Sequence, residues 1–168
     1  MTDYFRLLGL EPAFELDQGQ LAGNYRAAAR LVHPDRFAGA DSASQRQALE
    51  QSASLNEAYD TLKHSTSRAL YLLDMQQPLA EETTVQDPEF LFQQMQWREE
   101  LEELQELDEV DSFRQRLVGA RRDLEQEFAG CWDDPQQRAQ AEILVRRMQF
   151  LDKVLYEAGQ LEERLDDF

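Results

Sequence analysis

The sequence predicts an all-α protein built from two helical domains. Three observations lead there. Apolar residues recur at spacings of three and four, no segment alternates with the period of two a strand needs, and the helical blocks end at short breaks marked by Asp-Pro pairs and glycine. The expected architecture is an antiparallel helical hairpin with short flanking helices over residues 1–75, a linker over 76–87, and a three-helix bundle over 88–168.

Helices are expected at 3–8, 17–32, 42–63, 65–74, 88–108, 111–130 and 135–165. Asp17 can cap the second of these, which leads into Leu21, Tyr25 and Ala28. Residues 25–32, rich in alanine and arginine, form helix readily. His33-Pro34 ends it, because a residue before proline disfavours helical dihedrals. Asp35-Arg36-Phe37 and a loop of Gly, Ala, Asp and Ser follow. The next helix carries Ala48, Leu55, Tyr59 and Leu62 near one face. Pairing it with the previous helix puts His33-Pro34-Asp35 at the tip between them.

A polar, proline-containing stretch over 75–87 separates the two blocks. Asp87-Pro88 and Asp134-Pro135 each place a capping residue before a first-turn proline, and Gly130 is suited to close the helix before it. In the first helix of the second block, Phe90, Gln94, Trp97, Leu101 and Leu104 form a core stripe. In the last, Leu144, Met148, Leu151, Leu155 and Ala158 do the same. At about 100° per residue, Phe92, Met95, Glu99 and Glu103 project away from the first stripe, with Leu91 beside them. Phe150 lies off the last stripe. These residues alone allow two readings: burial in a wide bundle core or against the first domain, or an exposed apolar patch with an acidic margin, which is how a protein-binding surface looks.

Charge narrows the function. The 168 residues carry 34 acidic and 17 basic side chains, a formal charge of -17. Residues 1–75 hold 10 acidic and 7 basic groups, so most of the excess lies beyond them. That balance opposes nucleic acid, where basic surface supplies affinity, and opposes anionic membranes. No apolar run approaches the ~18 residues of a membrane span, and the opening residues lack the pattern of a secretory signal, so a cytoplasmic location is expected. Cys131, the single cysteine, excludes an internal disulfide and is read as a partly buried residue in a helix connection. With His33 and His64 it does not make a zinc set, so neither metal nor cofactor is expected. Nor is an enzyme: His33 and Asp35 have no nucleophile near them in sequence.

By itself His33-Pro34-Asp35 reads as a helix stop and a turn. Arg26 and Arg30, four apart on one helix face, and Arg36 after the loop add a small basic patch suited to an acidic protein partner. Taken with the opening Asp3-Tyr4-Phe5-Arg6-Leu7-Leu8-Gly9-Leu10 and the run from Leu55 to Leu62, however, the segment 3–74 resembles a J domain. The resemblance implies that His33, Pro34 and Asp35, supported by Arg26, Arg30 and Arg36, engage an Hsp70-type chaperone and stimulate its ATPase. No glycine-rich nucleotide loop occurs here, so the ATP would belong to that partner.

With Arg68-Ala69 before Tyr71-Leu72-Leu73, the runs FLFQQMQWREELEEL and FLDK, and the ending Asp167-Phe168, nearly the whole chain resembles the HscB family of bacterial iron–sulfur cluster assembly. The resemblance implies a chaperone partner of the HscA type and a scaffold partner of the IscU type, in the bacterial cytoplasm. It carries scaffold binding onto Leu91, Phe92, Met95, Gln96, Glu99, Glu103 and Phe150. Gln96 stands where the best-known members have an acidic residue, and Phe92 where a methionine can occur. The alternatives are a J-domain adaptor for a different client and a non-catalytic helical interaction protein.

Overall fold

The computed structural model describes residues 3–81 and 86–167. Met1, Thr2, the stretch 82–85 of the expected linker and the terminal Phe168 lie outside them. The regular structure among the described residues is entirely helical, and the chain divides into two compact units, Met1–Met75 and Gln76–Phe168.

The first unit opens with α1 (Tyr4–Leu7), capped by Asp3, whose carboxylate accepts from the Arg6 N–H at 2.9 Å. Leu10 N–H donates to the Phe5 carbonyl and Gly9 N–H to that of Arg6, the paired bonds that close a helix on a left-handed residue. Gly9 supplies that residue at φ 70°. Helix α2 (Gln18–Val32) is capped by Asp17 as expected, at 3.0 Å to Gln20 N–H. It pairs with α3 (Ser42–Lys63), and α4 (Ser65–Gln76) follows. Tyr25 stacks on Tyr59 at 4.4 Å and its hydroxyl bonds Asn56, which ties α2 to α3. Phe5, Leu21, Ala58, Leu62 and Leu73 are fully buried.

Arg68 is the charged residue buried in this unit. Its guanidinium donates to the carbonyls of Phe14 (2.6 Å) and Leu62 (2.7 Å) and lies over the Phe14 ring. It thereby ties α4 to the segment before α2 and to the end of α3. Tyr4 N–H donates to the Tyr71 hydroxyl at 2.8 Å while the two rings stack.

The second unit holds α5 (Pro88–Glu103), α6 (Leu107–Ala129) and α7 (Arg138–Asp166). Several boundaries differ from the sequence expectation, most of all the end of α5 and the start of α6, while α7 begins at Arg138 rather than 135. Helix α5 stops at Glu103 rather than 108, because Leu104 turns extended. Helix α6 starts at Leu107, not 111, because the Glu106 N–H bonds the Glu109 carboxylate at 3.1 Å in a capping box. Asp111 is thus inside α6, accepting from the Gln115 side chain. Gly130 does close α6, though at a right-handed φ of -84°. Asp134 caps a 3₁₀ turn, Pro135–Gln137, that leads into α7.

Ion pairs give the helix directions. Asp87–Arg147 and Arg98–Glu157 rise together, so α5 and α7 run parallel; Arg114–Glu162 and Arg121–Asp152 run oppositely, so α6 is antiparallel to α7. The unit is an up–down–up bundle. Its core joins Val110, Phe113, Leu117 and Phe128 of α6 to Leu144, Val145, Met148, Leu151 and Val154 of α7. The α7 core takes in Val145 and Val154 as well, while Leu155, placed on the stripe by the period, is only half-buried. Residues 77–80 are held as well: Arg138 donates to the Gln77 carbonyl and Arg146 to that of Ala80, both at 2.9 Å.

Candidate functional site

Two places gather the residues singled out by sequence, one in each unit. In the first unit, Val32 ends α2 and His33 turns extended (φ -60°, ψ 132°). Pro34 then opens a 3₁₀ turn, Pro34–Phe37. The His33 ring accepts the Asp35 N–H at Nδ1 (3.2 Å), and the His33 carbonyl accepts from Arg36 N–H. These local bonds and the proline ring brace the turn. They leave the Asp35 carboxylate 93% exposed, aimed at solvent and open to a donor from another molecule. Arg36 reaches back to the Arg30 carbonyl at 3.4 Å, so the loop cation sits by the α2 cations; Arg26 and Arg30 are exposed.

Gln45 was not singled out by sequence. Its side-chain amide lies 3.2–3.3 Å from the carbonyls of Phe37, Ala38 and Ala40, gathering the loop after the turn. Asp41 caps α3 through Ser44, and those hydrogen bonds hold its carboxyl below the usual range. A glutamine four residues past an N-cap carries no local signal for such a role.

In the second unit, Phe92 (67%), Leu91 (55%) and Met95 (55%) of α5 are exposed, as are Gln96, Glu99 and Glu103. From Phe92 to Glu103 the spacings of three, four, seven and eleven keep these side chains on one face. The row changes from apolar to acidic along the helix. Burial in a bundle core, one of the two readings the residues allowed, is excluded for Phe92 and Met95. Phe150 is placed differently. It is half-buried on α7, edge-on to Phe90 at 5.8 Å and stacked on Trp97 at 6.4 Å, with the Arg98 guanidinium over it. It meets Leu91 across a cleft between α5 and α7. Trp97 belongs to this aromatic cluster rather than to the surface row.

Asp87 was expected to cap α5. It stands at that position but makes no capping bond; its carboxylate forks onto Arg147, both contacts at 2.7 Å. The hydrogen bonds to Arg147 hold Asp87 below the usual carboxylate range and raise Arg147 in turn. Cys131 is buried in the α6–α7 connection, and desolvation pushes its thiol up, away from the reactive thiolate. Among the described residues no group of three His, Cys, Asp or Glu side chains could hold a metal, and no helix is long and apolar enough to cross a membrane.

Comparison with known proteins then bears on both places. A DnaJ domain model matches residues 3–71, and a model described as the HSCB C-terminal oligomerisation domain matches residues 86–159. The solved structure of the chaperone HscB from Vibrio cholerae is 32% identical, with 98% of this chain and 99% of that one covered and a TM-score of 0.86. The chain belongs to the HscB family. Two other structures share the HscB fold at lower identity. The human co-chaperone HscB is 23% identical over 96% of this chain and 83% of that one, with a TM-score of 0.91. The Jac1 co-chaperone of Saccharomyces cerevisiae is 24% identical over 100% and 94%, with a TM-score of 0.71. As an HscB-type protein with a J domain, this chain is a co-chaperone of an Hsp70-type partner in iron–sulfur cluster assembly.

Proposed function

We propose that the protein captures an IscU-type scaffold on its second unit and delivers it to an HscA-type chaperone, whose ATPase it stimulates through His33-Pro34-Asp35. The J-domain role is assigned to residues 1–75 and scaffold binding to 88–168. Bond chemistry belongs to the partner; this chain contributes binding energy and position. The setting is read as the bacterial cytoplasm, and the identity to the Vibrio cholerae protein supports its bacterial part.

The observation that carries the scaffold half is the exposed row Leu91, Phe92 and Met95, continued by Gln96, Glu99 and Glu103. Leaving a Phe or Leu in water forgoes roughly 1.5–3 kcal/mol per side chain, which docking recovers. Phe150 contributes the neighbouring aromatic wall. The neutral Gln96 reduces the charge contrast between this row and a basic partner. The chaperone half rests on the braced turn that presents Asp35, with Arg26, Arg30 and Arg36 beside it to meet acidic surface on the ATPase.

The test is ATP turnover by an HscA-type chaperone with and without IscU-type scaffold, comparing wild type, Asp35→Asn and Phe92→Ala/Met95→Ala. Loss of stimulation in Asp35→Asn, with the double variant impaired only when scaffold is present, is the expected result. No stimulation by wild type removes the chaperone assignment. Stimulation indifferent to scaffold keeps the J domain and points to a different client.

A further inference from the structure

The cleft between α5 and α7 has a charge of the opposite sign to its surroundings. It measures about 780 Å³, and Phe90, Leu91 and Phe150 are among its apolar lining. Arg146, Arg147 and Lys153 line it, inside a unit whose 24 acidic residues outnumber 10 basic ones. Arg147 is neutralised by Asp87 and lies over the Phe90 ring at 5.1 Å. Arg146 and Lys153 are not neutralised. Arg146 spends its terminal nitrogens on neutral acceptors, the Gln149 side chain (2.8 Å) and the Ala80 carbonyl, and its buried Nε has no hydrogen-bond partner among the described residues. Lys153 is exposed and makes no ion pair among the described residues. The other cations that face α7, such as Arg98, Arg114 and Arg121, each meet a carboxylate.

We propose that this cleft receives an acidic segment of the scaffold partner, one carboxylate meeting Lys153 and Arg146 while an adjacent apolar side chain settles on Leu91 and Phe150. The inference rests on the scaffold reading above and extends it: the docking surface has two charged ends rather than one. Glu99 and Glu103 stand at the far end of the α5 row, and the two cations stand at its beginning. A partner with a carboxylate at one end of an apolar patch and a basic group at the other docks in a single orientation, because the reversed pose sets like charges together. Arg146 is already held by its neutral acceptors, so a carboxylate meets a positioned cation and little side-chain freedom is lost.

The experiment is calorimetric titration of the full chain with purified IscU-type scaffold at low and high salt. Lys153→Glu is expected to raise Kd about tenfold and to flatten its salt dependence, with Lys153→Ala between it and wild type. Arg122→Glu on α6 makes the same change in net charge away from the cleft and serves as the control; thermal melting checks that each variant folds. Equal Kd values for Lys153→Glu and Arg122→Glu, in a chain where Phe92→Ala/Met95→Ala still weakens binding, overturn the cleft proposal alone. No binding by wild type overturns the scaffold reading itself.

Discussion

Arg68 carries a guanidinium into the interior of the first unit, where its hydrogen bonds join residues as far apart as 54 positions. Replacing it with alanine leaves the Phe14 and Leu62 carbonyls without those donors, and a buried unsatisfied group costs about 1–3 kcal/mol. Arg68→Ala is therefore expected to lower stability by about 3 kcal/mol in urea denaturation, and Arg68→Lys by less, since one ammonium cannot span both carbonyls as the fork does. Asp87 makes a pH-dependent contribution. Its pKa is lower folded than the ~3.9 of a free carboxylate. The stability it adds is present above that unfolded value and is lost as pH falls through the folded one. The stability gap between wild type and Asp87→Asn should stay level from pH 8 to 5 and close below about pH 4. A gap unchanged at acid pH would show that the pair with Arg147 is not its source.

At the scale of the element, helix ends decide more than helix interiors. Gly9 closes α1 at φ 70°, where a Cβ meets only ordinary contacts, the nearest 3.6 Å away at Asn24. Gly9→Ala should thus cost about 1 kcal/mol from backbone strain alone. The Glu106–Glu109 capping box starts α6 one turn earlier than the expected start at 111. Glu109→Ala is expected to cost about 0.5–1 kcal/mol and to speed amide exchange at the start of α6 without altering its centre. In the loop, Gln45 holds three carbonyls near one amide. Gln45→Ala should weaken ATPase stimulation while leaving Asp35 and its neighbours in place, which separates loop order from loop chemistry.

At the scale of the whole molecule, the proposed division of labour predicts that two affinities vary independently. Asp35→Asn should leave scaffold Kd unchanged within about twofold, since the two sites lie in separate compact units and sites without shared partners are nearly additive. Phe92→Ala/Met95→Ala should leave scaffold-free ATPase stimulation unchanged by the same measure. Joining both contacts in one chain raises the effective concentration of scaffold near the chaperone. Mixing the two single-site variants should therefore fail to restore wild-type turnover with scaffold; restoration would mean the contacts need not share a chain.

Three features were legible along the chain: the all-helical class, the α2–α3 hairpin with its proline-braced turn, and the shared face of Phe92, Met95, Glu99 and Glu103 on α5, though not that this face is exposed. Each of these is local: Pro34 restricts His33, and spacings of three and four put Phe92, Met95 and Glu99 on one face whatever lies opposite. The remaining features came from packing between helices. Asp87 looked like a cap and instead found Arg147, 60 residues away. Phe150, off its helix stripe, proved to be packed on Phe90 and Trp97. Arg68 was buried against the ring and carbonyl of Phe14. Arg146 and Lys153 came to line one cleft in an acidic unit because α5 pairs with α7, and Phe90, Leu91 and Phe150 of these helices line it too. No period along the chain encodes such meetings: side chains distant in sequence are brought together by the packing of helices, and their charges and pKa values follow from who their neighbours then are.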